Sequence, residues 1–400
     1  MRKKYKIILI LFSLILLLCI ILKLTLFKKV TTVIKLNDNL IFEYEEEHYL
    51  LDNISIIDGI ILDQNYLLDT SSLGTHNVII TYKDSNGWKK KYEFSYNVVD
   101  TTSPLLSISK NLYLEKGSNI NNLLTNVFCG DNYDRKVDLS IDGDYDVNMI
   151  GNYDIKIIAK DDDNNITSKN ATLHIYESNN RSSNTNKNTN QGIPITYFFE
   201  NYKSPKTSIG LDISSYQDVY DFNEVKNAGI DFVMLRIGWG PNSDLTFNDD
   251  SKFEDYYKKA KEANLKIGIY YFSYATTLDE VDLEVNYVLD KLKDKKIDMW
   301  ISYDWENWKL FKDCNMNFND LNKMAKKFMD KLKENGYSVM NYSSKYYLEN
   351  IWTLDTYNVW LAQYNDEATY EKKFNLWQIS DQGRVSGINN LVDVDILIKD

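Results

Sequence analysis

The sequence predicts a multidomain chain: an N-terminal transmembrane helix, two β-sandwich domains and a C-terminal barrel of alternating strands and helices. Three observations carry this. Residues 7–22 are an unbroken run without charge, a repeat with a spacing of 77 residues occupies the following segment, and strand patterns alternate with amphipathic helices beyond residue 197. With 400 residues and 44% apolar content, the chain is long enough for two or three domains, at least one with a sizeable core.

Extending the first run past Lys23 to Phe27 gives a segment of about 31 Å as a helix, at about 1.5 Å per residue, which would just cross a bilayer. No small-x-small cleavage site follows it, and Cys19 follows Leu18 where a lipidated cysteine would follow a small residue. Residues 1–29 therefore read as a basic tail and retained anchor, with Lys23 snorkelling to the outer interface. The expected location is the cell membrane, single-pass, with the N-terminus inside and the remaining domains outside. The three cysteines, Cys19, Cys129 and Cys314, fall in three segments and suggest no disulfide framework, which suits an exported protein of a Gram-positive bacterium.

The first 29 residues hold seven Lys or Arg and no acid, so residues 30–400 carry 39 basic against 58 acidic side chains. That balance excludes nucleic acid as a partner, since its phosphates would be repelled.

Within residues 31–176, LDTSSLGTHNVIITYKDSNG from Leu68 overlays YDVNMIGNYDIKIIAKDDDN from Tyr145, with Gly74 on Gly151, Lys83 on Lys160 and Asp84 on Asp161. In each copy a period-two apolar alternation runs into an Asn, Gly or Asp turn and a second alternating run, the signature of a hairpin. Two domains follow, 31–100 and 101–176. With VVDTTSPLLSI at their join, they resemble bacterial immunoglobulin-like surface modules, which implies a spacer or a wall-binding role. Asp161, Asp162 and Asp163 suit either a charged hairpin tip, the commoner case, or calcium. Residues 177–191 contain no apolar side chain, and a flexible linker is expected over 177–204.

The last domain spans 205–400. Its strand candidates are 209–213, 232–237, 266–272, 299–303, 338–342, 359–364 and 376–379, and its helix candidates 222–228, 252–263, 278–293 and 318–334. Gly229, Asn264 and Gly336 suit helix C-caps. This alternation implies a mostly parallel sheet with right-handed crossovers, and the loss of long helices in the final third argues against a regular eightfold barrel.

All three histidines, His48, His76 and His174, lie upstream of this domain, so a Ser-His-Asp triad, a Cys-His pair and a histidine-bound zinc are excluded there. Carboxylates remain as acid and base. In parallel barrels reactive groups gather where strands end. Asp212 ends the first strand, Asp304 and Glu306 close the fourth, and Asp393 lies in the last run, VDVDI. Strand alternation puts Asp304 and Glu306 on one face and Trp305 on the other. Several carboxylates in one mouth raise the proton affinity of at least one of them, which suits glycosidic cleavage. By itself, an Asp-x-Glu on a strand is more often a structural pair.

In combination, GLDISSYQ at Gly210, FVMLRIGWG at Phe232, KIGIYYFSYA at Lys266, YDWEN at Tyr303, VWLAQY at Val359 and LWQISDQGRVSGINNLVDVDI at Leu376 resemble the family 25 glycoside hydrolases, lysozymes of the Chalaropsis type. The resemblance covers about residues 207–397. It implies an irregular, flattened, TIM-like β/α barrel, no cofactor or metal, and hydrolysis of the β-1,4 bond between N-acetylmuramic acid and N-acetylglucosamine in peptidoglycan. Carried over by position, Glu306 would be the general acid. Asp304 would be its charged partner or orient the substrate's acetamido group, and Asp212 and Asp393 would complete the catalytic set. Both a covalent ester and a substrate-derived oxazolinium intermediate fit. Two departures bear on substrate fit: Asp395 stands where Asn is more usual, and Tyr271 where His is common.

For substrate binding, a sugar's apolar face stacks on aromatic rings, and Tyr271, Tyr342, Trp360 and Tyr364 lie near strand ends, though core packing is the commoner role of such residues. Arg236 is expected either to pair with a site carboxylate or to form an ordinary buried ion pair. The expected function is a membrane-anchored peptidoglycan muramidase. The rival is a non-catalytic wall-binding or scaffold protein that kept the barrel and lost turnover.

Overall fold

The computed structural model describes residues 2–26, 31–177 and 192–399. The chain divides into two compact units, Met1–Thr102 and Ser103–Asp400.

In the first unit a helix, Arg2–Leu26, precedes a β-rich module. Among the described residues no helix is long and apolar enough to cross a membrane, which corrects the expected transmembrane anchor and single-pass location. The uncharged stretch 7–22 measures only about 24 Å at about 1.5 Å per residue, against a hydrocarbon core of about 30 Å. Reaching further requires taking Lys23 along. In the module, the hairpin Gly74–Asp84 and Lys89–Val99 is flanked by Gly59–Ile61 and Ile41–Glu43, the last pairing in parallel.

In the second unit, the hairpin Gly151–Lys160 and Ile166–Tyr176 is flanked by Asp138–Asp142 and, in parallel, by Asn111–Glu115. The two hairpins sit where the 77-residue repeat places them, beginning at Gly74 and Gly151. Their inward residues are apolar and alternate, as at Ile155, Ile157 and Ala159, which are buried among Leu106, Leu173 and Ile175.

This second module is packed against the barrel. Phe128 lies edge-on to Trp308, Phe311 and Tyr347 at 5.8, 6.0 and 5.5 Å. Its neighbour Gly130 runs so close that a Cβ would stand 2.6 Å from the Phe311 and Phe318 rings, so only glycine fits. Of the expected linker 177–204, residues 178–191 lie outside the described residues. Ile193–Pro194 pairs with a barrel strand, and Ile195–Tyr202 is a helix that buries Ile195 and Phe198.

The barrel strands are β1 (Thr207–Ile213), β2 (Phe232–Gly240), β3 (Lys266–Ser273), β4 (Ile301–Asp304), β5 (Val339–Ser344), β6 (Asn358–Ala362), β7 (Leu376–Arg384) and β8 (Val392–Ile398). They pair in sequence order, and β8 pairs with both β7 and β1, closing an eight-stranded barrel. The first seven strands are parallel and β8 is antiparallel to both neighbours.

A TIM barrel has eight parallel strands, each followed by a helix. Here the helices α1 (Phe222–Asn227), α2 (Phe253–Glu262), α3 (Leu278–Leu292) and α4 (Phe318–Glu334) separate the first five strands, and only the six-residue α5 (Lys345–Asn350) follows β5. The TIM-like expectation is corrected accordingly. The seven strand candidates left out the closing strand, Val392–Ile398. The run VDVDILI returns antiparallel, needing no crossover helix, and fills the eighth place.

Capping boxes start α3 (Thr277 with Glu280) and α4 (Asn317 with Asp320). Left-handed residues Gly229, Asn264 and Gly336 end α1, α2 and α4. Strand residues of one parity, Phe232, Met234, Met340, Tyr342, Trp360 and Leu376, fill the barrel interior. The opposite parity packs under the helices, as with Val233, Leu235, Ile267, Ile269 and Leu361.

Candidate active site

Parity decides which side chains reach the barrel's upper end. Asp212, next to last in β1, lies directly opposite Asp393 on β8. Asp304 is the last residue of β4, with Phe272 and Tyr342 beside it on β3 and β5. Because β8 runs antiparallel, its beginning lies at the end where the other strands finish. Asp212 and Asp304 are buried, Asp393 is half-buried, and Glu306, two residues past β4, is exposed at the rim.

These four carboxylates interact with one another. Burial raises Asp212 well above the ordinary carboxylate range, and the nearby Asp393 and Asp395 raise it further. Hydrogen bonds from Tyr270 and Gln378 act in the opposite direction. Asp304 is likewise well raised by burial, then by Glu306 and Asp212, with the Arg236 charge opposing. Loss of hydration at the crowded rim raises Glu306. Burial, with Asp381 and Glu306 nearby, brings Asp393 up to about 7. Removing carboxylates from water and crowding them disfavours ionisation, so the cluster retains protons near neutrality. The sign for folding follows. These groups favour the folded state while protonated, and that contribution is lost as pH rises from the ordinary carboxylate range through the raised values.

The floor of the site is a hydrogen-bonded network. Gln378 on β7 donates from Nε2 to Asp212 Oδ2 at 2.8 Å, and its Oε1 accepts from the Tyr342 and Tyr364 hydroxyls at 2.9 Å each. Trp360 Nε1 donates to Asp395 Oδ1 at 2.8 Å, and burial holds Asp395 well above its ordinary value. Asp304 Oδ1 is buried without a protein partner.

The aromatic candidates separate by exposure. Tyr364 is 53% exposed and can offer a ring face to a ligand. Tyr342, at 8%, and Trp360, at 1%, lie beneath the carboxylates and support them. Tyr271 is corrected as a binding residue. It points outward, fully buried, with its ring stacked on Phe328 of α4 at 5.8 Å. The inward tyrosine of that pair is Tyr270, which hydrogen-bonds Asp212. Arg236 forms a buried ion pair: Nε and Nη2 lie 2.9 and 2.8 Å from Asp250 Oδ2, and Nη2 donates to Ser215 Oγ at 3.1 Å. Its guanidinium lies against Tyr216 and Trp239, 4.9 and 5.0 Å from the ring centroids.

Tyr270 and Gln378 join the site although the sequence reading gave them no role there, and Asp395 joins it after being singled out only as a departure bearing on substrate fit. The signal for Gln378 was present: one amide in the apolar run LWQIS, opposite in parity to Trp377.

Residues 211–388 match the model of Glycosyl hydrolases family 25. The Autolytic lysozyme of Clostridium acetobutylicum is 29% identical over 189 residues, 46% of this chain and 54% of that protein. The chain thus spans about half the length of the curated relative it matches. Among solved structures, a family 25 glycosyl hydrolase from Bacillus anthracis is 17% identical with a TM-score of 0.43, covering 50% of this chain and 93% of that one. The spore cortex lytic enzyme SleM of Clostridium perfringens is 18% identical with a TM-score of 0.42, covering 49% and 68%. Scores of this size carry no weight for function. Within this longer chain, the segment 211–388, which spans β1 to β7 and holds Asp212, Asp304 and Glu306, is thus the part that is similar to the family 25 glycoside hydrolases.

Proposed function

We propose that this domain is a peptidoglycan muramidase, hydrolysing the β-1,4 bond from N-acetylmuramic acid to N-acetylglucosamine. The observation that carries the reading is the meeting of Asp212, Asp304, Glu306 and Asp393 at one end of the barrel, each with its proton affinity raised. The name of the clostridial relative agrees with it.

Glu306 is the general acid. It is the carboxylate open to a ligand at the rim, and loss of hydration raises its proton affinity, which suits it to protonate the leaving glycosidic oxygen. Asp304, one turn of the pleat below, supplies negative charge toward the oxocarbenium-like centre or holds the 2-acetamido group. Asp212 is aimed by Gln378 and Tyr270, and with Asp393 it sets the charge of the cluster. Tyr364 provides a stacking face for a sugar ring.

The test is digestion of purified peptidoglycan by the full chain, borohydride reduction of the products and mass spectrometry. Muramitol ends are expected. Glucosaminitol ends, cut peptides or intact glycan would reject the reading, and retention of glycan strands without cleavage would favour a non-catalytic wall binder.

A further inference from the structure

We propose that the second β-rich module binds a divalent cation of the calcium type through Asp131 and Asp161, with Asp134 beside them. The donors come from two chain segments: residues 131–134, which follow the strand Phe128–Gly130, and the turn 161–165 between the hairpin strands. All three carboxylates are withdrawn from solvent, with exposures of 1% for Asp131, 4% for Asp161 and 8% for Asp134. A carboxylate oxygen of Asp131 and one of Asp161 lie within 4.8 Å of each other, close enough to share one ion.

The turn geometry already uses one oxygen of each. Asp131 Oδ1 accepts from the Tyr133 and Asp134 amides at 2.8 and 3.0 Å, and Asp161 Oδ1 accepts from the Asn165 amide at 2.7 Å. The other oxygen of each, Oδ2, is buried and receives no donor, and Asn132 Oδ1 in the same segment is also buried without one. Buried carboxylate oxygens with no donor are costly, and like charges side by side add to the cost. A cation bound between them removes both penalties. The donors are all hard oxygens on loops and turns, the set that calcium accepts in its flexible geometry, with no histidine among them for zinc.

The same loop holds the barrel. The Asp131 carbonyl accepts from the Phe318 amide at 2.8 Å, the Tyr133 carbonyl accepts from Asn317 Nδ2 at 2.5 Å, and Arg135 pairs with Asp320 at 2.9 Å. Ordering of residues 131–134 by an ion would therefore also fix the start of α4.

The test uses the full chain freed of metal with chelator. Calorimetric titration with calcium chloride should give a dissociation constant on the order of 10⁻⁴–10⁻³ M, and calcium should raise the melting temperature. Asp131→Asn and Asp161→Asn should each weaken binding at least about tenfold, the loss expected for one carboxylate ligand, while Asp142→Asn on the exposed face of the same module should not. Terbium, whose emission the adjacent Tyr133 would sensitise, should bind the unmodified chain and be displaced by calcium. That measurement decides the matter even if a variant fails to fold. Neither heat nor a melting shift up to about 10 mM calcium, terbium emission that calcium does not quench, or binding unchanged in both Asn variants would overturn the proposal.

Discussion

Glu306→Gln is expected to lower the release of reducing ends from peptidoglycan by about 10²–10⁴-fold while the melting temperature stays near that of the parent chain. Glutamine keeps the shape and a hydrogen-bond donor but has no transferable proton, so the leaving oxygen must depart unprotonated. The fold should tolerate the change, because Glu306 is exposed at the rim and lies beyond the end of β4. Removing it also removes one repulsive neighbour of Asp304 and Asp393, so both should ionise at lower pH in the variant. Initial rates and a melting curve on the same preparation check the prediction. Near-parental rates would remove Glu306 from the role of acid.

Trp305→Ala is expected to destabilise the unit Ser103–Asp400 by about 3–5 kcal/mol, read from its urea unfolding transition. The indole is fully buried between Asp304 and Glu306 in sequence but on the opposite face, with ring centroids 4.8 Å from Trp308 and 6.0 Å from Phe311. Its Nε1 donates to the Ala275 carbonyl at 3.3 Å. Truncation would leave a cavity beside the carboxylate strand and orphan that carbonyl. The segment that follows, Trp308–Asp313, also carries the packing with Phe128, so the loss should extend to the joint between barrel and module. Trp305→Phe, which refills most of the volume, should cost much less. Equal losses for both variants would mean that the hydrogen bond, and not the packing, matters.

Local pattern made much of the barrel legible. The seven parallel strands and the helices α1 to α4 lie where alternation and 3.6-residue periodicity put them, because those elements bury one face and leave caps at their ends. The carboxylates were legible for the same reason: Asp212, Asp304 and Asp393 interrupt apolar runs at strand ends. What local pattern could not supply was pairing. Tyr270 and Tyr271 are chemically identical neighbours, and only the register of β3 between β2 and β4 determines which faces Asp212. The closing strand VDVDILI reads as one more apolar run, and its antiparallel return, which sets Asp393 opposite Asp212 and buries Asp395, is a long-range fact. Gln378 acquires its role only when β7 lies two strands from Asp212. At the N-terminus, hydropathy alone suggested a membrane span, but the uncharged stretch ends at Lys23 before reaching the required length.

The central claim is that carboxylates from β1, β4 and β8 share one environment and hold protons that isolated carboxylates would lose. Carbon-detected NMR titration of the side-chain carboxyls, assigned with single Asp→Asn and Glu→Gln variants, measures this directly. The account predicts that Asp393 titrates near 7, that Asp212 and Asp304 ionise well above the ordinary aspartate range, and that Glu306→Gln shifts Asp304 and Asp393 downward. Four independent midpoints at ordinary carboxylate values, unmoved by that substitution, would contradict it.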